Sequence, residues 1–430
     1  MAGRRQETGE SIIIMNNISP SQDNMPDNDS CDISPISEGA SLRVQAELLE
    51  KIEQITPALK TRILDLRSGS LQQQRGVWLN SSAACPVPNS VITDLELALH
   101  KPHVTIDRGT DDRTRDIAEL TKTFTKDFCQ RYTQGAGSLI FGYNATHVLL
   151  ALGRALLETR SDLTVAHGGP DHKSSYAFSH LPGWQHRKLI PYSETGFYER
   201  FSVQTLPDNS VLLLNALHHM YGTMQGSILA HIPQTTNIVV DVSQALNSMP
   251  PDKLLPFMNR ANAAVFNVGK SFSPLSVGVL WVRDQKLAET VIECNPELQG
   301  SVSSLQIEML TSTGKFLAQT VDADWYEYIW YLTRYLLAAL SQLEHISVIG
   351  CNSWQSNTDK LGIVSFNANS MSAQELGVYL NSKGFAVRAD GSCTGDKETR
   401  QNYDHVRISL LPHITTNDID ALVGVLKECV

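Results

Sequence analysis

The sequence predicts an α/β protein built on a mostly parallel sheet, and three observations carry the prediction. The short apolar runs Ile238–Val240, Ala264–Phe266 and Val277–Val282 have the length and continuous hydrophobicity of strands buried on both faces. Strand-like and helix-like segments alternate from about residue 76 to 290, which argues for parallel strands covered by helices. Asp241 ends the first run and Lys270 follows the second, in Asn267-Val268-Gly269-Lys270-Ser271. Chemically active residues at neighbouring strand ends lie where open α/β sheets bind ligands.

Composition bounds the function. At 430 residues the chain is long enough for two domains with substantial cores. Its 42% hydrophobic and 19% charged residues describe a globular protein. A net charge of −10 argues against a general nucleic-acid binder. No apolar run is long enough for a membrane span, and the apolar core of Ser11–Met15 is too short for a signal peptide. The seven cysteines, at 31, 85, 129, 294, 351, 393 and 429, form no CxxC pair. That is neither a zinc pattern nor a disulfide framework, and a cytoplasmic setting follows as the expectation.

Residues 1–40 are rich in Ser, Asn, Asp, Pro and Gly and read as a disordered tail. Residues 41–75 read as an N-terminal helical segment, with Leu48, Leu49, Ile52, Ile55, Leu59, Ile63 and Leu64 at helical spacing. A large ligand-binding domain is expected over 76–315. It opens with a short strand into the small-residue turn Asn80-Ser81-Ser82-Ala83-Ala84, where a backbone can approach a ligand closely. A helix at Ile117–Phe128 follows. Ser138–Phe141 is a strand, Gly142-Tyr143-Asn144-Ala145-Thr146 a tight turn, and His147–Leu157 a helix. The free N–H groups and positive dipole end of that helix, with the Thr146 hydroxyl, suit a phosphate. An ordinary capped turn would look the same in isolation, and no Walker ending is present.

Leu163–Ala166, Lys188–Ile190 and Val211–Asn215 are further strands. The first delivers Asp171-His172-Lys173, placing a histidine where it could stack on a flat cofactor. The third leads to His218-His219. Adjacent residues of a strand point to opposite faces, and no carboxylate or cysteine lies at ligand spacing, so no metal is expected. Residues 316–430 change character: a long helix at Val321–Leu343, strands near 362–366, 385–388 and 405–410, and helices at 373–382 and 417–427. They predict a smaller C-terminal α+β domain.

The chemistry of the strand ends narrows the reading. A lysine amine near a carboxylate suits pyridoxal phosphate (PLP). The amine forms a Schiff base and the carboxylate keeps the pyridinium nitrogen protonated, so the ring acts as an electron sink.

Taken together, residues 76–428 resemble the class V aminotransferase and cysteine desulfurase family of fold-type I PLP enzymes, with the motifs in the family's order. The resemblance implies a mostly parallel seven-stranded sheet in the large domain. It implies that Asn144, Ala145 and Thr146 form the phosphate turn, with Asn267 a further phosphate donor, and that His172 stacks on the ring. Asp241 and Gln244 match Asp-x-x-Gln, for the pyridine nitrogen and the phenolate oxygen, and Lys270 matches the Schiff-base lysine. Glu308-Met-Leu-Thr311 resembles a segment whose threonine reaches the phosphate of a neighbouring subunit, implying a homodimer with shared active sites. Val406-Arg407-Ile408-Ser409 resembles the motif whose arginine clamps the substrate carboxylate, which suits a guanidinium fork. Arg388 and Cys393 resemble the desulfurase segment bearing the persulfide-forming cysteine, and Ser81 and Arg388 join Arg407 on the substrate side.

Some positions depart from the family. Gly269 replaces the histidine before the lysine, and His219 stands where desulfurases have an asparagine near the phenolic oxygen. Asp107 lies near the place of a substrate-side histidine, and Thr394-Gly395-Asp396-Lys397 replaces Ala-Gln-Pro. The expected function is C–S cleavage of cysteine or an S-substituted cysteine, with a sulfur-acceptor protein as a further partner. Epimerisation, transamination or decarboxylative C–C bond formation is the alternative, and a non-catalytic scaffold a third.

Overall fold

The protein is described by a computed structural model covering residues 38–69, 76–104, 109–160, 162–300, 302–354, 359–395 and 404–429. The tail reading, up to residue 37, and Asp107 lie outside the described residues. From the N-terminus come helix α1 (Glu38–Gly69), strand β1 (Val77–Trp78), α2 (Asn89–Leu99), α3 (Asp112–Thr133), β2 (Ser138–Gly142), α4 (Ala145–Thr159) and β3 (Thr164–Gly168). Next are α5 (Lys173–Ser179), β4 (His186–Ile190), α6 (Arg200–Gln204), β5 (Ser210–Asn215), β6 (Asn237–Asp241), α7 (Pro251–Arg260) and β7 (Ala263–Asn267). Strand β8 (Gly278–Val282), α8 (Gln285–Cys294), α9 (Ser304–Thr320) and α10 (Ala323–Leu340) follow. The chain closes with β9 (Ile346–Ile349), β10 (Ile363–Ala368), α11 (Ala373–Ser382), β11 (Phe385–Ala386), β12 (Val406–Ser409) and α12 (Thr416–Leu426).

The seven-stranded sheet has the order β2-β8-β7-β6-β5-β3-β4. Every neighbouring pair is parallel except those made by β8, which runs antiparallel to both β2 and β7. The run Val277–Val282, read as a parallel strand, is corrected accordingly. Only the short 3-10 turn Val268–Lys270 and a few further residues connect β7 to β8. A return without a crossover helix has to be antiparallel.

Alternation along the strands gives the sheet two buried faces. Val240, Ala264, Phe266 and Trp281 enter one core, whereas their neighbours Val239, Ala263, Val265 and Leu280 enter the other. A third core joins Leu48, Ile52, Leu59 and Ile63 of α1 to α10 and the antiparallel sheet β12-β10-β9. The long helix expected at Val321–Leu343 starts at Ala323. Asp322 caps it by accepting from the Trp325 N–H, which separates it from α9.

Cys351 takes part in a disulfide, whereas Cys85, Cys129, Cys294, Cys393 and Cys429 are free thiols. Among the described residues no helix is long and apolar enough to cross a membrane.

Candidate active site

Because β2, β3, β5, β6 and β7 run in one direction, their C-terminal ends share one edge of the sheet. That edge collects Asn144 after β2, His172 after β3, His219 after β5, Asp241 at the end of β6 and Lys270 after β7.

Lys270 sits in the 3-10 turn and is half-buried. Its backbone is clamped, since its carbonyl accepts from Asn247 Nδ2 at 2.8 Å and from the Cys85 thiol at 2.9 Å. Trp325 in turn donates to the Asn247 carbonyl. No group among the described residues hydrogen-bonds the Lys270 amine. Burial lowers its pKa below the ordinary lysine value. Asp241 opposes that shift, while Arg407 and Arg388 add to it. A lysine held partly towards its neutral form is what a nucleophile and proton acceptor requires.

The turn between β2 and α4 is shaped by close packing. The Asn144 side chain caps α4 by accepting from the His147 N–H at 3.0 Å. This leaves the Ala145 and Thr146 N–H groups without an intrahelical acceptor. Gly278 of β8 lies directly beneath: a Cβ there would stand 2.1 Å from the Asn144 carbonyl. The Asn267 carboxamide oxygen accepts from Gly269 N–H and the Ser276 hydroxyl, leaving its NH2 group for a ligand.

Asp171, 1% exposed, organises the next element. Its carboxylate accepts from Gly168 N–H, Tyr192, Tyr198 and Asn215, with His218 Nε2 at 3.5 Å. Burial, and then the Asp171 charge, push both tyrosines well above their ordinary values. The hub anchors His172, which caps α5 with Nδ1 2.8 Å from the Ser174 hydroxyl. Burial and the cations Lys270, Lys173, Arg407 and Arg388 hold the His172 imidazole neutral, well below its usual value.

His218 and His219 are both buried in a turn, with ring centroids 4.8 Å apart. The expectation of opposite strand faces is corrected, because β5 ends at Asn215. Neither ring nitrogen of His219 has a hydrogen-bond partner, and its ring meets His172 edge to face at 5.5 Å. No group of three metal-ligating side chains occurs among the described residues.

The C-terminal elements deliver the remaining residues. Arg407 of β12 donates to the His219 carbonyl at 3.0 Å, and its Nε is buried without a partner. Burial, reinforced by Arg388, lowers its pKa to about 10. Backbone hydrogen bonds in both directions pair it with Arg388. Asp390 engages one edge of the Arg388 guanidinium, accepting from Nε and Nη2, and Nη2 also donates to Cys393 Sγ at 3.0 Å. Cys393 has a left-handed φ of 62°, uncommon for a side-chain-bearing residue. Arg388 is therefore engaged with the thiol, and Arg407 keeps the fork open to a carboxylate.

Gln244 donates to the Ser82 carbonyl at 2.9 Å, with one amide N–H to spare. Ser81 is 1% exposed and its hydroxyl is unpartnered. Thr311 is not gathered with this set. It lies inside α9 with its hydroxyl donated to the Ile307 carbonyl. Asn247, Cys85, Asn215 and Gly278 escaped the sequence reading. They act on backbone or on a buried carboxylate, and no local pattern marks such roles.

The orphaned polar atoms test the fit of PLP. The His219 nitrogens, Arg407 Nε and Ser81 Oγ are buried without partners around Lys270 and His172. Buried polar groups are rarely left so. Together with the uncapped N–H groups over Gly278, they match a polar, anionic, planar group.

The aminotransferase class-V family model matches residues 77–422. The chain belongs to that family. A cysteine desulfurase from Yersinia pseudotuberculosis serotype O:1b (strain IP 31758) is 23% identical over 415 residues, covering 84% of this chain and 95% of the relative. The cysteine desulfurase of Yersinia pestis is 22% identical over the same span. Among solved structures, the apo cysteine desulfurase from Thermococcus onnurineus NA1 superposes with a TM-score of 0.73 at 14% identity, covering 85% of this chain and 97% of that one. The cysteine desulfurase CsdA from Escherichia coli, in its S-sulfonic acid form, gives 0.67 at 14% identity, with 85% and 98% covered. The fold is thus the fold-type I PLP architecture of this enzyme family, an α/β structure on a mostly parallel sheet.

Proposed function

We propose that this protein is a PLP-dependent enzyme that cleaves the C–S bond of cysteine or an S-substituted cysteine. The observation that carries the reading is the Cys393 thiol, held 3.0 Å from Arg388 and within electrostatic reach of Lys270 and Arg407. Asp241, His172, Asn267, Ala145 and Thr146 are the residues that would hold PLP. PLP bound there supplies a carbonyl for amines and a ring that accepts the electron pair of a carbanion.

The chain's own residues account for the remaining steps. The Arg407 fork orients the substrate carboxylate. The Lys270 amine, biased towards neutrality, takes the proton from Cα. Cys393, whose sulfur accepts from Arg388 Nη2, attacks the substrate sulfur as its thiolate. The thiolate pair forms the new S–S bond. The C–S pair stays on Cβ and is protonated, giving alanine and a persulfide on Cys393. A sulfur-acceptor protein would then discharge the persulfide. The proposal also includes a homodimer with shared active sites, measurable by light scattering, a cytoplasmic location, and the division into a large domain over 76–315 and a small one over 316–430.

The test is a product assay. PLP-reconstituted protein is given L-cysteine and S-substituted cysteines, with sulfide, alanine and pyruvate followed for wild type and Cys393→Ala. Alanine with Cys393-dependent sulfur release is the expected result. Pyruvate without that dependence makes it a β-eliminating C–S lyase. Lys270→Ala at full turnover would sink both routes.

His219, Gly269 and the Asp390 lock on Arg388 favour a second reading, in which another bond is remodelled by epimerisation, transamination or decarboxylative C–C bond formation. Full activity of Cys393→Ala on a non-sulfur amino acid would select it. A chain that acquires no near-ultraviolet to violet absorption with PLP would instead be a scaffold.

A further inference from the structure

A separate cavity of about 130 Å³ lies between α3, α9 and β7. Four aromatic rings wall it: Phe124, Phe128, Tyr132 and Phe266. Phe128 stacks on Phe266 at 5.2 Å and meets Tyr132 at 4.9 Å, so these rings form a continuous wall. Asp127 and Lys315 are exposed and mark the mouth. Ser271 and Thr313, each 1% exposed, are also among its lining residues. Neither hydroxyl has a hydrogen-bond partner. Two orphaned hydroxyls lining one apolar cavity are a recognisable binding design: apolar walls with a few convergent polar groups.

Size defines the ligand class. An apolar cavity of about 150 Å³ is enough to bind benzene. This one is of that order, and its rings suit offset stacking or edge contact with another ring. The hydroxyls can donate or accept, so they would pair with a single polar substituent. We propose that this cavity binds a monocyclic aromatic molecule carrying one hydrogen-bonding group, a phenol-like ligand whose polar atom meets Ser271 and Thr313. The site is built on the residues that flank Lys270, because Val268 and Ser271 both line it. An occupant therefore stiffens the turn that presents the lysine. The proposal is independent of the reaction assigned above.

The test is calorimetric titration of the full chain with phenol and with benzene. Saturable one-to-one binding of phenol is expected, about fivefold tighter than benzene for one net hydrogen bond. The near-isosteric Ser271→Ala/Thr313→Val variant should erase that preference while still binding benzene. The space-filling Leu317→Trp variant, its fold checked by circular dichroism, should bind neither. Absence of saturable phenol binding to wild type overturns the proposal. So does a phenol preference that survives the double variant, or phenol binding unchanged in a folded Leu317→Trp protein. If Leu317→Trp does not fold, the double variant alone decides.

Discussion

Gly278→Ala is the sharpest probe of the proposal that the turn between β2 and α4 holds a phosphate. Gly278 pairs with Gly142 on one side and Asn267 on the other, so its strand cannot easily slide. A Cβ would stand 2.1 Å from Asn144 C and O and 2.8 Å from Ala145 N. Ordinary contact begins at 3.4 Å, so the Asn144 carbonyl would have to retreat by 1.3 Å. Backbone, unlike a side-chain tip, cannot rotate out of the way. The displaced groups are those whose N–H bonds would face phosphate. Losing one or two charge-assisted hydrogen bonds weakens binding by about 10- to 100-fold. Overpacking adds a stability loss of about 1–3 kcal/mol. The assay is PLP titration followed by absorbance, alongside the same titration with pyridoxal, which lacks the phosphate. The reasoning predicts a large loss for PLP and a small one for pyridoxal. Wild-type PLP affinity, or equal losses for both ligands, would refute it.

Further predictions follow from other residues. His413 is fully buried with Nε2 2.9 Å from the Trp78 carbonyl, and burial lowers its pKa to about 4. Its folded pKa lies below the unfolded value, so its stabilising contribution is complete above about pH 6.5 and is lost as pH falls towards 4. The loss amounts to about 3 kcal/mol at most, and urea denaturation of His413→Gln should show a shallower acid dependence over that window. Arg407→Lys removes the planar fork while keeping the charge. KM for the amino-acid substrate should rise about tenfold or more with a smaller change in kcat, and an unchanged KM would remove Arg407 from substrate binding. Asp171→Asn removes the charge and replaces one of the two acceptor oxygens by an NH2 donor, in a hub of four donors at 1% exposure. A destabilisation of about 2–4 kcal/mol is expected from chemical denaturation; wild-type stability would mean that the hub contributes little.

Much of the fold and part of the site can be read from the sequence by itself. Continuous apolar runs such as Ile238–Val240 and Ala264–Phe266 mark buried strands, because both faces of such a strand need hydrophobic cover. Asp241, Lys270, His172 and Arg407 are legible because each stands at a strand end or in a short motif, and chain order preserves that signal. Other features were decided only in three dimensions. The direction of β8 depends on the short return from β7 and not on its composition, since Val277–Val282 is as apolar as its parallel neighbours. The clamp of Asn247 and Cys85 on the Lys270 carbonyl joins residues 23 and 185 positions away. That the Thr311 hydroxyl is donated to the Ile307 carbonyl follows from its place inside α9. Local residue types set periodicity and chemistry, whereas which backbone groups remain unpaired, and which side chains meet them, depends on how distant segments pack.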